Sequence, residues 1–268
     1  MAEFPPAGVR TCLRACDPEF IVPDWPAPPT VRALQTTRQG GCSLPPYDSL
    51  NLGDHVGDDI TRVRQNRACV SQFLPSPPLW LQQVHGTLAV DADCPDLADT
   101  KIAPAADAVF SRQTGRVCVI MTADCLPLLF CDRAGSVVAA AHAGWRGLCE
   151  GVIENTVAAM QVPAGEILVW LGPAIGPAAF EVGDEVRAAF LHRHPVAADA
   201  FRPQAGRPGK WLADIFMLAR QRLHVLGITA IYGGGVCTVS DPARFFSHRR
   251  DAPCGRLATL IWRDHPAG

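Results

Sequence analysis

The chain has 268 residues, of which 48% are apolar and 19% charged, a balance that excludes disorder as its dominant state and can fill a sizeable core. With 24 basic and 26 acidic side chains the formal net charge is −2. That excludes a strong overall attraction to nucleic acid or anionic membranes, while leaving room for a local basic pocket.

In chain order, residues 1–19 are expected to be peripheral or poorly ordered. Val31–Thr36 reads as a strand. Asp59–Leu74 then places Ile60, Val63, Val70 and Leu74 at roughly helical spacing, with Asp58 or Asp59 as the N-cap. The runs Leu79–Val84, Ala108–Phe110, Val117–Met121, Leu126–Cys131 and Val137–Ala141 are apolar or β-rich and bounded by turn residues, which predicts strands. Gly147–Met160 sets Leu148, Val152, Thr156 and Met160 at i, i+4 intervals and predicts a helix. Ile167–Leu171 follows as a strand and Val182–Leu191 as a helix. Leu212–Leu226 carries one apolar stripe, from Leu212 through Ile215, Phe216, Ala219 and Leu223 to Leu226, with Gly227 as the C-terminal cap. Ile228–Tyr232 and Leu257–Trp262 complete the strands. Strands outnumber helices and several follow one another directly. The pattern therefore predicts an α+β or layered α/β body, one domain over 1–268, rather than a βαβ repeat.

The 11 cysteines are odd in number and form no C-x-x-C pair, which points to reduced thiols and a cytoplasmic protein rather than a disulfide scaffold. Residues 1–10 have neither a basic n-region nor an apolar h-region, so no signal peptide is expected. Val117–Cys131, the best candidate for a membrane span, is interrupted by Asp124 and Pro127. Cys118 and Cys131 fall in strand patterns and read as small core residues, whereas Cys12 and Cys16 are expected to be exposed.

Three short segments concentrate residues able to do chemistry: Gln82-Gln83-Val84-His85-Gly86, Thr122-Ala123-Asp124-Cys125-Leu126-Pro127 and Ala141-His142-Ala143-Gly144-Trp145-Arg146-Gly147. Each puts a metal-capable side chain beside a Gly or Pro at a strand end or loop. Two imidazoles and a thiolate would form a three-ligand zinc site with the fourth position open, as in catalytic rather than structural zinc. No local spacing rule joins the three, and coincidence among 8 His and 11 Cys remains the alternative. Arg146 falls near a predicted helix N-terminus, where free N–H groups favour an anion; a surface ion pair is its other reading.

These segments belong to an ordered set: Thr37-Arg38-Gln39-Gly40-Gly41-Cys42-Ser43, Ser49-Leu50-Asn51-Leu52-Gly53, His55-Val56-Gly57-Asp58-Asp59, Asn66-Arg67, Gln83-Val84-His85-Gly86, Ala106-Asp107-Ala108, Ala123-Asp124-Cys125-Leu126-Pro127, His142-Ala143-Gly144-Trp145-Arg146-Gly147, Gly172-Pro173-Ala174-Ile175-Gly176-Pro177, Phe180-Glu181-Val182-Gly183 and Phe246-Ser247-His248-Arg249-Arg250-Asp251. In this set the chain closely resembles the YfiH/YlmD family, also called the laccase-domain or multicopper polyphenol oxidase family, from about Phe20 to about Trp262. His248 stands where many family members have Tyr. The resemblance implies an α/β/β/α sandwich related to the catalytic domain of a cytotoxic necrotising toxin. It also implies that His85, Cys125 and His142 converge on one zinc. Around that centre it implies Arg38 and Arg146 as donors to a phosphate or substrate oxygen. Asn51 and Gln83 would read a base or sugar, Asp124 would orient a ligand or buffer an arginine, and Arg249 would close the pocket rim. For Asp124 a plain turn carboxylate, and for Arg249 an exposed ion pair, stay open. Trp145 is either a pocket wall or a core anchor.

Several reactions are linked to the family. Phosphorolysis of purine nucleosides needs an anion site that Arg38 and Arg146 could form, and adenosine deamination needs a metal-activated hydroxide. A multicopper oxidase needs many histidines, partly in His-x-His pairs. This chain has 8, with one such pair at His192-Arg193-His194, so copper is expected only as a substitute at the His/Cys/His site. Removal of L-serine from UDP-MurNAc-L-Ser by an amidase would use Cys125 as nucleophile and His142 as base. A non-catalytic zinc or nucleotide-binding module would need a fourth ligand, for which Cys118, Cys131 and Cys149 are near in sequence. The expectation adopted is a zinc enzyme in which His85, Cys125, His142 and Arg146 are catalytic. Its partners would be a purine nucleoside and phosphate, with neither nucleic acid nor membrane involved; the sequence carries no signal for oligomeric state.

Overall fold

A computed structural model describes residues 17–97 and 102–264. Most of the expectation for residues 1–19, and both Cys12 and Cys16, lie outside the described residues. The elements run β1 (Phe20–Ile21), β2 (Val31–Thr36), α1 (Ile60–Ser71), β3 (Ala89–Asp91), β4 (Ala108–Ser111), β5 (Cys118–Thr122), β6 (Leu126–Asp132), β7 (Val138–Ala143), α2 (Trp145–Glu150), α3 (Val152–Met160), β8 (Ile167–Leu171), β9 (Glu181–Gly183), α4 (Asp184–Arg193), β10 (Phe201–Pro203), β11 (Lys210–Ala213), α5 (Ile215–Val225), β12 (Ala230–Gly233), α6 (His248–Asp251) and β13 (Leu257–Arg263).

Two sheets form the body. One has the order β12-β8-β6-β7-β4-β3 and the other β1-β2-β13-β5; a small third sheet is β10-β11-β9. Alternation along the central strands explains the stacking, because successive side chains leave a strand on opposite faces. Leu126, Leu128 and Phe130 of β6 face Leu148, Val152, Ile153, Phe216 and Leu223 on the helices α2, α3 and α5. Leu129 and Cys131 face the other way, onto Ala33, Ile120 and Ile261 of the second sheet. The far side of that sheet presents Val119, Ala258 and Leu260 to Val70 of α1 and to Leu50 and Leu52. The layers are therefore helix, sheet, sheet, helix, as the resemblance implied. Strands buried on both faces read as continuous apolar runs, and each fully buried Leu or Phe contributes about 1.5–3 kcal/mol. No helix among the described residues is long and apolar enough to cross a membrane.

Several expectations shift. Asp59 is the N-cap of α1, its side chain accepting from the Thr61 amide at 2.8 Å. Leu79–Val84 is not a strand: it makes only isolated bridges, Leu79 to Cys118 of β5 and Gln82 to Ala105. The helix expected over Gly147–Met160 starts at Trp145 and is two helices, broken at Gly151, whose φ of 116° ends α2 and begins α3. Val182 lies in β9 and Leu212 in β11, so the helices begin later, at Asp184 and Ile215. The third sheet was missed because strands of three or four residues carry too little alternation to register.

Candidate functional site

The site forms where β5 passes into β6. These strands belong to different sheets, so the turn Ala123-Asp124-Cys125 must cross between them. Asp124 makes the crossing at φ 86°, a left-handed conformation rare outside glycine. Its carboxylate stabilises it, accepting from Thr238 Oγ1 at 2.6 Å, Ser247 Oγ at 3.0 Å and the Arg249 amide at 2.7 Å. Cys125 thus sits at the start of β6. His142 lies near the end of antiparallel β7, opposite Pro127, which brings it to the same sheet end. His85 comes from the turn after Gln82, also left-handed at φ 59°.

The ligand atoms of His85, Cys125 and His142 lie within 4.8 Å of one another. Cys125 Sγ is 3.7 Å from His85 Nε2, and the two imidazole rings meet edge to face with centroids 4.7 Å apart. Asp107, just before β4, binds both histidine segments. Its Oδ1 accepts from His142 Nδ1 at 2.8 Å and from the His85 amide at 3.0 Å. Its Oδ2 accepts from the amides of Val84 at 3.1 Å and Gly86 at 2.6 Å. Glycines let the segments close up. A Cβ on Gly144 would stand 2.6 Å from His85 Cδ2 and 3.1 Å from Cys125 Sγ, and one on Gly147 would stand 2.6 Å from Gly86 O.

The electrostatics favour a charged pair. Burial opposes ionisation of the Cys125 thiol, but the adjacent His142 charge and hydrogen bonds from His142 and His85 outweigh it and lower the thiol's pKa. Burial likewise opposes the His142 imidazolium, and the Cys125 thiolate together with the Asp107 carboxylate raises its pKa. Asp107 is held below the usual carboxylate range: burial is outweighed by its bond and attraction to His142 and by the Gly86 and Val84 amides. A readily ionised thiol and two imidazoles are a borderline-soft donor set that suits zinc and also accepts copper. The Asp107 bond leaves Nε2 as the free ring nitrogen of His142, the arrangement common to metal-binding histidines. The residues fit a metal.

Beside Cys125 opens a cavity of about 190 Å³, lined by Ala123, Asp124, Cys125, Trp145, Ile175, Phe180, Ile215, His248 and Arg249. Trp145 fills both of its expected roles, since it lines this cavity and also packs on the core under the helices. Arg249 sits at the rim, with Nη1 donating to Glu181 O at 3.0 Å. Arg146 is exposed, its guanidinium 4.4 Å over the Trp145 ring. Arg38, Asn51 and Gln83 do not line the cavity. Arg38 donates through Nε to Asp48 O at 2.8 Å, pairs with the Asp48 carboxylate and covers the Phe246 ring. Fully buried Asn51 accepts from the Gly53 and Arg256 amides and donates to Asp58. Gln83 exchanges two 2.7 Å hydrogen bonds with the Met121 backbone, pinning the His85 segment to β5. His55 lines a different cavity, of about 880 Å³.

Cys118 and Cys131 are fully buried between the sheets, and burial drives both thiols upward, Cys131 to about 12. Cys149 packs in the other core. Among the described residues the cluster holds three side chains of ligand type and no fourth cysteine. The sequence assigns Asp107 no role; an acid flanked by alanines directly before a buried strand is its only local signal.

The family of multi-copper polyphenol oxidoreductase laccases matches the chain over residues 32–264. The chain is 56% identical over 243 residues to a purine nucleoside phosphorylase of Pseudomonas aeruginosa, covering 91% of this chain and 98% of that one. It is 52% identical over 246 residues to the purine nucleoside phosphorylase YfiH of Escherichia coli, at the same coverages. A crystal structure of a Neisseria meningitidis protein is similar with a TM-score of 0.88 and 51% identity, covering 91% of this chain and 99% of that one.

Proposed function

The chain belongs to the family of multi-copper polyphenol oxidoreductase laccases, and from that premise we propose that it is a zinc-dependent purine nucleoside phosphorylase acting on adenosine and inosine, with adenosine deamination as a second activity of the same site. The observation that carries this reading is the convergence of His85 and His142 on Cys125, which itself lines a cavity walled by Trp145 and Phe180. The names of its relatives support it. Flat aromatic and aliphatic walls suit a purine, and the basic rim suits an oxyanion.

In phosphorolysis a phosphate oxygen forms a bond to ribose C1′ while the C1′–N9 bond breaks, and the purine leaves with a proton. Arg146 and Arg249 bind and orient the phosphate. Asp124 holds the rim through the Arg249 amide, and His142, its Nδ1 bonded to Asp107, keeps Nε2 for the metal, so the proton that leaves with the purine comes from the phosphate. Gln83 supports the centre by tying the His85 segment to the Met121 backbone, whereas Arg38 and Asn51 bind backbone away from the cavity. Held by His85, Cys125 and His142, zinc would supply a Lewis acid and a water of lowered pKa, the chemistry that deamination requires; copper at the same ligands would account for polyphenol oxidation as a side activity.

A second reading is favoured by one observation, the chain of hydrogen bonds from Cys125 through His142 to Asp107, which would serve as nucleophile, base and orienting acid of a cysteine hydrolase cleaving the amide of UDP-MurNAc-L-Ser. Zinc-quantified protein is to be incubated with adenosine or inosine and phosphate, beside Cys125→Ala. Free base with ribose 1-phosphate from the wild type and none from the variant is the expected result. Fully loaded protein that leaves both nucleosides intact overturns the reading and makes the amide the substrate to assay.

A further inference from the structure

We infer that Asp107 is the positioning residue of the metal centre, one buried carboxylate that sets both the ring of His142 and the turn carrying His85. The inference rests on the reading of the His/Cys/His trio as a metal site and is independent of the substrate.

The Asp107 side chain is fully buried. A carboxylate removed from water must be matched by donors, and here four converge on it: His142 Nδ1 and the amides of Val84, His85 and Gly86, between 2.6 and 3.1 Å away. An ionised carboxylate offers about four lone-pair sites, so Asp107 has no acceptor capacity left for a metal or substrate. It acts through its neighbours.

Two consequences follow. The first concerns His85, whose φ of 59° is rare for a residue with a Cβ. Three successive amides can face one carboxylate only if the backbone turns in this way, so the carboxylate stabilises the conformation that aims the His85 ring at Cys125. The second concerns His142. Its amide donates to Asp107 O at 2.7 Å and its Nδ1 to Asp107 Oδ1, so one residue fixes both ends of it. The Nδ1 proton is committed, and Nε2 is left as the lone pair facing the centre. The two ligands lie 57 positions apart in the chain, and apart from Cys125, itself a ligand, Asp107 is the side chain that bonds them both among the hydrogen bonds described. Asparagine cannot substitute fully, since its NH₂ would confront either the amides or the ring N–H.

The test compares zinc affinity, by chelator competition, for the wild type, Asp107→Asn and Asp132→Asn. Asp132 is the matched control, because this buried carboxylate accepts from the Ser136 and Val137 amides and from Ser136 Oγ at the opposite end of β6. The expected result is about 10–100-fold weaker zinc binding and a changed cobalt(II) absorption spectrum for Asp107→Asn, with neither change in Asp132→Asn. Equal zinc affinity and an identical cobalt spectrum in Asp107→Asn and wild type overturn the inference. A measurement on the wild type alone stands in if the variant does not fold. In the zinc-loaded protein, histidine-labelled ¹⁵N NMR is expected to find His142 metal-bound through Nε2 with a protected Nδ1 proton; metal on Nδ1 overturns the inference. Wild type that binds no zinc overturns the metal-site reading and this inference together. Zinc binding that depends on Asp107 without purine turnover supports this inference while removing the nucleoside reading.

Discussion

Replacing Gly144 with alanine isolates the geometry of the site. Gly144 precedes α2 at φ −62° and ψ 156°, extended backbone that alanine adopts freely, so the substitution brings no dihedral strain. The cost comes from the added methyl, which would lie 2.6 Å from His85 Cδ2 and 3.1 Å from Cys125 Sγ. An ordinary carbon–carbon contact is about 3.5 Å, so the His85 ring must retreat by about 0.9 Å. The retreat works against three amide bonds from the Val84–Gly86 turn to Asp107. Overpacking of this kind costs about 1–3 kcal/mol of stability, and displacing a catalytic group by about 1 Å can cost on the order of 100-fold in rate. Zinc affinity by chelator competition, turnover of inosine with phosphate, and thermal unfolding of the metal-free protein are to be measured on the same preparation. The expected outcome is a folded protein with zinc affinity lowered at least about 10-fold and turnover lowered about 100-fold. Gly144→Ala with wild-type zinc affinity and turnover would show that His85 and Cys125 do not approach this close, and would refute the reasoning.

Two other outcomes follow from the same geometry. In metal-stripped protein the thiolate fraction of Cys125 rises with pH from a lowered pKa, so its alkylation by iodoacetamide is expected to be nearly complete in rate at pH 7 and to fall only in acid. An ordinary thiol, with pKa near about 8.5, would still be gaining rate at that pH, and peptide mapping that finds Cys125 no faster than such a thiol contradicts the pairing with His142. Arg249→Ala keeps the backbone bond to Asp124 but removes the guanidinium from the rim. Losing one charge-assisted bond of about 1.5–3 kcal/mol should raise the KM for phosphate roughly 10-fold or more, and an unchanged KM would remove Arg249 from the phosphate site.

Properties that depend on near neighbours were legible in the chain. Ile167–Leu171 matches its apolar run residue for residue, because burial of every position leaves no polar residue to confuse the pattern, whereas Val31–Thr36 is legible through alternation, with exposed Arg32 between buried Val31 and Ala33. The Asp59 cap followed from a side chain bonding two residues ahead. The three ligand segments could be singled out because each pairs a metal-capable side chain with a turn residue, and their ordered motifs resembled a known family.

Tertiary structure decided everything that links distant positions. Residue types alone could not show that His85, Cys125 and His142 share one sheet end; that follows from β6 and β7 lying antiparallel and from the β5–β6 turn crossing between sheets. Leu79–Val84 has the composition of a strand but changes partners midway, so no continuous ladder forms. Asn51 and Gln83 have the polarity of substrate contacts, yet their partners Arg256 and Met121, 205 and 38 residues away, occupy that capacity. Asp107 is the clearest case. A single acid among alanines says little locally about its role, which arises from amides 21–23 residues earlier and an imidazole 35 residues later that converge only in the folded chain. Local sequence specifies backbone conformation and which faces avoid water, whereas the partners of a buried polar group are set by which distant segments those faces bring together.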